Sequence, residues 1–320
     1  MASPTNRRQN RFLATSAGTN IDAFTVGDWS LLSAIVLIWG TSFVLIDIGL
    51  DAFAPAIVAW CRIALGAAAL ACVPRARRTI FAREDLPRTL LIGVTWIGIP
   101  LLLFPIAQQW IASSVAGMIN GGMPLMTALW AAIMLRRGPS RPQLAGLVIG
   151  FAGIVAIFLP EAPFAAAGSD LRSLLGSGLV VLAIFLYGFS ANIAVPLQQR
   201  YGSVPLMLRM QLTGLAVVTP FAIAGLAEST FAWPSALAMI PLGMLSTGLA
   251  FVLMATLVGR VGGPRGSVAI YFVPIVAIVI GVVARGESVH PLAIVGTALV
   301  ILGAFITSRR EIPRPDLRTP

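Results

Sequence analysis

The sequence has no lysine, a single histidine (His290) and only two cysteines. Cys61 and Cys72 both fall in one apolar segment, so no disulfide scaffold is available, and both read as buried small hydrophobes. One histidine and two cysteines on the same segment give no metal constellation, and no metal or other cofactor is expected. His290 stands beside Pro291 in a short connection, where it cannot serve a Ser–His–Asp set. No glycine-rich phosphate loop follows a strand. Acidic residues are also sparse, and none lies in the middle of an apolar run. Asp47 and Asp51 sit at the end of the first run, and Glu228 and Glu287 sit in connections. A membrane-embedded enzyme needs paired acid–base or metal-ligating groups inside its spans, and these are missing. The chain is read as a non-enzyme.

Charged residues make up only 11% of the chain, against about 25% in soluble domains. Hydrophobic residues make up 58%. These values exclude a soluble globular protein, a disordered chain and a nucleic-acid-binding face. They indicate a protein whose main partner is the lipid bilayer.

Crossing the bilayer core takes about 20 predominantly apolar residues. Ten such runs are present: Trp29–Gly49, Ala54–Val73, Arg88–Trp110, Ser113–Leu135, Gln143–Leu159, Leu174–Val195, Val204–Ala227, Ser235–Val258, Arg265–Arg285 and Pro291–Ser308. Each is read as a helix, because lipid offers an isolated apolar run no other way to satisfy its backbone. All the basic residues are arginine, and they alternate by connection. Eighteen fall on the side of the two tails, while only Arg172 and Arg285 fall opposite. The positive-inside rule then places both termini in the cytoplasm. The arginine-only, alanine-rich composition points to a GC-rich bacterium and its inner membrane.

The expected organisation is a basic tail over residues 1–28, a first five-helix unit over 29–159 and an outer connection over 160–173. A second five-helix unit covers 174–308, followed by a tail over 309–320. The two units match at a shift near 150 residues: Pro124 with Pro274, Gly146 with Gly296, Gly153 with Gly303, Trp39-Gly40 with Tyr187-Gly188, Arg62 with Arg209, and Phe104 with Phe251. A unit of five spans is odd, so the second copy must cross upside down. The fold class expected is thus an all-α polytopic membrane protein, with ten transmembrane helices in two inverted five-helix repeats.

Several side chains could carry function at the level where the copies meet. Arg62 and Arg209 lie inside spans, where a charge costs at least about 2.5 kcal/mol and usually faces a partner or a wet cavity. Each either attracts a carboxylate or binds carbonyls of a neighbouring helix. Asn120, Gly121 and Gly122 precede Pro124, and this run predicts a broken helix whose freed polar groups face a substrate or whose glycines pack closely against a neighbour. Pro274 is the matching breaker, with Tyr271 beside it. Trp39 with Ser42, and Tyr187 with Asn192, pair an aromatic ring with polar handles, as suits a cavity for amphipathic solutes. Trp96 and Ser246 are further candidates. The glycines at 146, 150, 153, 296 and 303 predict close helix approaches, serving the scaffold or a homodimer.

Taken together, Trp39-Gly40, Ser42-Phe43, Arg62, Pro124, the Gly146/Gly153 seam, Tyr187-Gly188, Pro274, Gly286-Glu287, Gly296 and Gly303 resemble the EamA-type members of the drug/metabolite transporter superfamily. The first copy departs from the pattern, with Arg136-Arg137 where the second has Gly286-Glu287. The resemblance implies a ten-helix basket around a central cavity lined by the first, third and fourth helices of each repeat. It also implies export of amino acids or related small molecules. Hydrophobic drugs or phosphorylated and nucleotide-linked metabolites are the alternative cargoes, and a non-transporting scaffold is the alternative of another class.

Overall fold

The computed structural model describes residues 22–111, 113–135, 138–158, 171–273, 275–276 and 291–308. Every regular element among these is helical. Five helices are long and apolar enough to cross a membrane: α1 (Val26–Leu50), α3 (Arg83–Gln108), α7 (Leu171–Tyr201), α8 (Ser203–Glu228) and α9 (Trp233–Val261). Between and beyond them lie shorter helices. These are α2 (Pro55–Ala71), α4 (Ser113–Asn120), α5 (Met123–Leu135), α6 (Arg141–Phe158), α10 (Gly263–Gly266) and α11 (Pro291–Ser308). Large apolar side chains such as Leu37, Leu129, Val148, Val181 and Ile301 stand exposed on their outer faces. Water would penalise that surface, whereas lipid tails cover it at no cost.

Local chemistry sets the helix ends. Thr25 caps α1, with its side chain accepting from the Asp28 amide while the Asp28 carboxylate accepts from the Thr25 amide. Pro55 occupies the first position of α2, where its missing N–H would have had no partner. The links from α7 to α8 and from α9 to α10 are one residue long. Both need a positive φ, which Gly202 (83°) and Gly262 (86°) supply.

Three spans depart from α geometry. The first is interrupted at Thr41, between Val26–Gly40 and Ser42–Leu50. In the third, Gly93–Gly98 is a π-helical turn, and a second π-helical turn covers Leu242–Leu249 of α9. These two turns occupy corresponding places in the two halves. Each lies against a glycine of the other half. A Cβ on Gly66 of α2 would come within 3.0 Å of the Gly243 carbonyl, and one on Gly214 of α8 within 3.0 Å of the Gly98 amide. The two halves therefore interlock rather than sit side by side.

A second interlock joins α6 to α11, which run antiparallel. Gly146 meets Gly303 and Thr307, and Gly153 meets the backbone of Gly296 and Val300. The matched glycines are thus paired across the halves, bringing backbone against backbone.

Candidate functional site

Where the first, second, third and fourth spans meet α7 and α9, the side chains leave a cavity. Its enclosed volume is about 50 Å³, and it is open at its mouth. Trp39 and Tyr187 stand near the middle of their long helices, so the cavity sits deep between the ends of the bundle.

Six of its fourteen described lining residues are aromatic. Trp39 meets Phe251 edge to face at 5.2 Å, Phe43 meets Phe104 at 6.0 Å, and Phe104 stacks on Tyr187 at 6.0 Å. Trp39 Nε1 donates to the Ser246 carbonyl at 2.9 Å, which fixes the ring across the two halves. Ser42 Oγ donates to the Trp39 carbonyl at 2.8 Å and so satisfies the chain where α1 is interrupted. Ile46, Leu101, Met123, Ile270 and Val273 complete the apolar wall.

Two polar groups stand out against this wall. Arg62 is only 4% exposed and lines the cavity, with its Nε donating to Thr247 Oγ1 at 2.9 Å. No Asp or Glu is among the described lining residues. Asn120 is 8% exposed, and its Oδ1 is buried without a hydrogen-bond partner among the described residues. It closes α4 at the cavity edge. Gly121 and Gly122 then form a turn, and α5 begins at Met123. Pro124 falls in the first turn of α5, where a proline starts a helix rather than kinking one. Pro274 lies outside the described residues.

Of the nine side chains singled out in the sequence as substrate contacts, Trp39, Ser42, Arg62, Trp96, Asn120 and Tyr187 line this cavity. The structure employs the other three elsewhere. Asn192 is buried, and its Nδ2 donates to the carbonyls of Thr127 at 2.9 Å and Gly188 at 2.8 Å, tying α7 to α5. Ser246 is buried at the contact with α1 and presents its carbonyl, not its hydroxyl, to Trp39. Tyr271 is fully buried against Gly150, with its hydroxyl donating to the Leu147 carbonyl at 2.7 Å. In each case a neighbouring backbone group takes the polar atom.

The residues that sequence reasoning missed are apolar: Phe43, Ile46, Leu101, Phe104, Met123, Phe251, Ile270 and Val273. Phe104 and Phe251 carried a signal, because they match across the two halves. The others resemble any lipid-facing residue by type.

Apolar helices thus surround a deep cavity whose described lining holds one buried cation, Arg62. The EamA-like transporter family matches residues 28–159 and 174–309, and the chain belongs to that family, with one repeat in each half. It is therefore a membrane-embedded, multi-pass transporter. A probable terminal-alkyne amino-acid exporter of Streptantibioticus cattleyicolor is 28% identical, over 89% of this chain and 94% of its own. A probable amino-acid metabolite efflux pump of Salmonella typhimurium is 22% identical, over 87% of this chain and 94% of its own. A solved crystal structure matches with a TM-score of 0.70 at 18% identity, covering 88% of this chain and 96% of its own, which speaks for the fold.

Proposed function

We propose that this transporter moves small zwitterionic or carboxylate-bearing metabolites, most naturally amino acids and their relatives, out of the cell. The observation that carries the reading is Arg62, a desolvated cation lining a cavity whose described walls hold no acid. Burying a charge is tolerated where a counter-charge arrives, and a cargo carboxylate supplies one. The aromatic and aliphatic walls suit an apolar side chain on the same molecule. A wholly hydrophobic drug would leave Arg62 without an anion. A phosphorylated metabolite would call for several cations, and the described lining has one. The names of the two relatives, an amino-acid exporter and an amino-acid metabolite efflux pump, support the same cargo.

The transport mechanism proposed is alternating access between two inverted five-helix repeats. In this reading the five long helices, the shorter α2, α6 and α11, the pair α4–α5 and the apolar run over 265–285 make ten crossings. Ten crossings and the arginine imbalance put both termini in the cytoplasm, in a bacterial inner membrane. Exchange of the two repeat conformations would expose the cavity to each side in turn.

The test is counterflow in proteoliposomes holding purified protein. Vesicles are loaded with unlabelled amino acids, and uptake of trace labelled ones is followed with and without a pH gradient. Saturable exchange that ignores the gradient is expected, because no described lining residue can carry a proton between carboxylate states. If folded protein exchanges none of them, the amino-acid cargo is wrong.

A further inference from the structure

Arg62 is held from behind by a residue that the cavity does not include. Thr247 is fully buried, and its Oγ1 accepts the Arg62 Nε proton at 2.9 Å. The same hydroxyl donates its own proton to the Leu242 carbonyl at 2.9 Å, five residues back. A threonine hydroxyl on an ordinary helix reaches back three or four residues. Five is the spacing of the π turn Leu242–Leu249, so the irregular turn sets the direction in which this hydroxyl presents its lone pairs. The Thr247 carbonyl accepts in turn from Gln211 Nε2 at 2.6 Å, and Gln211 is fully buried too. Gly66, one turn along α2 from Arg62, makes room for this arrangement. A Cβ there would stand 2.8 Å from Gln211 Oε1 and 3.0 Å from the Gly243 carbonyl.

From this geometry we infer that Thr247 is a positioning residue for transport, with Gln211 holding it in register. A guanidinium offers a fork of five N–H donors. With Nε committed to Thr247, the terminal edge formed by Nη1 and Nη2 is the one left to take a carboxylate in a bidentate grip. Thr247 thereby decides which edge of Arg62 meets the cargo and what angle the carboxylate adopts. A point charge at the same place would attract an anion without selecting its orientation. The inference deepens the reading of Arg62 as the carboxylate receptor and rests on it. It adds that selectivity is set from the second repeat, because Thr247 and Gln211 both belong to that half while Arg62 belongs to the first.

The experiment measures equilibrium binding to the purified full-length chain. Each of the twenty L-amino acids is taken in turn as the radiolabel, and the primary amide of any that bind serves as competitor. The amide keeps the amine and side chain but lacks the carboxylate charge. Thr247→Val, which keeps shape and removes the hydroxyl, should weaken amino-acid binding about tenfold, the usual effect of losing a hydrogen bond to a charged group. It should leave amide binding unchanged, so the preference of acid over amide narrows. Thr247→Ser should restore that preference. If Thr247→Val does not yield monodisperse protein, Thr247→Ala, which only removes volume, is read the same way. An unchanged preference in the hydroxyl-free variant overturns the positioning role, while loss in Arg62→Gln would still uphold the carboxylate site. Equal weakening of acid and amide also overturns it, since that is what a merely structural role predicts. Failure of folded wild-type protein to bind any of the twenty removes both readings together.

Discussion

Arg62 and Arg209 occupy equivalent places in the two repeats, yet they face different surroundings. Arg62 is buried at the cavity wall. Arg209 extends toward the connection between α2 and α3, where its Nη2 reaches the carbonyls of Arg77 at 3.5 Å and Thr79 at 3.4 Å and its guanidinium lies over the Phe81 ring at 5.9 Å. The matching positions carry two cations, and the fold places only one of them, Arg62, among the described residues lining the cavity.

Charge removal at the two sites should therefore separate. Arg62→Gln is expected to lower counterflow of a carboxylate cargo by about tenfold or more, the scale of a lost charge-assisted hydrogen bond. Arg209→Gln should leave the apparent affinity in place and change stability by roughly 0.5 kcal/mol or less, as for other peripheral substitutions. Initial rates over a range of cargo concentrations distinguish the two.

The glycine seam should be intolerant of bulk. A Cβ at Gly153 would lie 2.6 Å from the Gly296 carbonyl and 2.7 Å from the Val300 amide, and backbone atoms there have nowhere to move. Gly153→Leu should cost about 1–3 kcal/mol or more through overpacking. At Gly178 nothing lies within 4 Å of an added Cβ. Gly178→Ala should be neutral, or stabilising by roughly 0.5–1 kcal/mol through reduced chain freedom. Thermal melts in detergent give the comparison.

The start of α1 is anchored by a buried acid. The Asp28 carboxylate accepts from the Thr25 amide at 2.9 Å and the Thr25 hydroxyl at 2.7 Å, and it faces Arg260 Nε at 3.1 Å. Asp28→Ala should destabilise by about 1–2 kcal/mol, mainly through the lost cap. Combined with Arg260→Gln the costs should add to less than their sum, because both act on one contact. A double-mutant cycle on the melting transition checks this.

Two tryptophans report on the cavity. Trp39 and Trp96 line it, so a bound cargo should shift the intrinsic emission saturably. The double replacement Trp39→Phe, Trp96→Phe should abolish the shift while the other tryptophans continue to emit. A shift that survives in that variant would mean that the cargo binds elsewhere.

Hydropathy makes the apolar helices legible, because lipid selects strongly on it, and residues matching at a shift near 150, such as Pro124 with Pro274 and Phe104 with Phe251, make the repeat legible. The helix break at Gly121-Gly122 is legible too, since two glycines followed by proline can hardly continue a helix. Other features escape the sequence. The interruption at Thr41 follows Gly40, yet a lone glycine such as Gly66 leaves α2 unbroken, and the π turns at Gly93–Gly98 and Leu242–Leu249 lie against glycines of the opposite repeat that are distant in sequence. Residue type also misleads for Asn192 and Tyr271. A polar atom inside a membrane helix can serve a cargo or a neighbouring carbonyl, and only the position of that neighbour decides. Thr247 is the converse case, an unremarked hydroxyl that gains its role from a contact 185 residues away.

The pairing of Gly146 with Gly303 and of Gly153 with Gly296 also bears on inheritance. A side chain gained on one face could be offset only by bulk lost from the other, and glycine has none to lose. Elsewhere the two halves of the gene are free to diverge, as Arg62 and Arg209 have in their surroundings. Along this seam each half fixes what the other is permitted to become. Hybrids that join the first half of this chain to the second half of a relative must keep both sets of glycines, whatever cargo they carry.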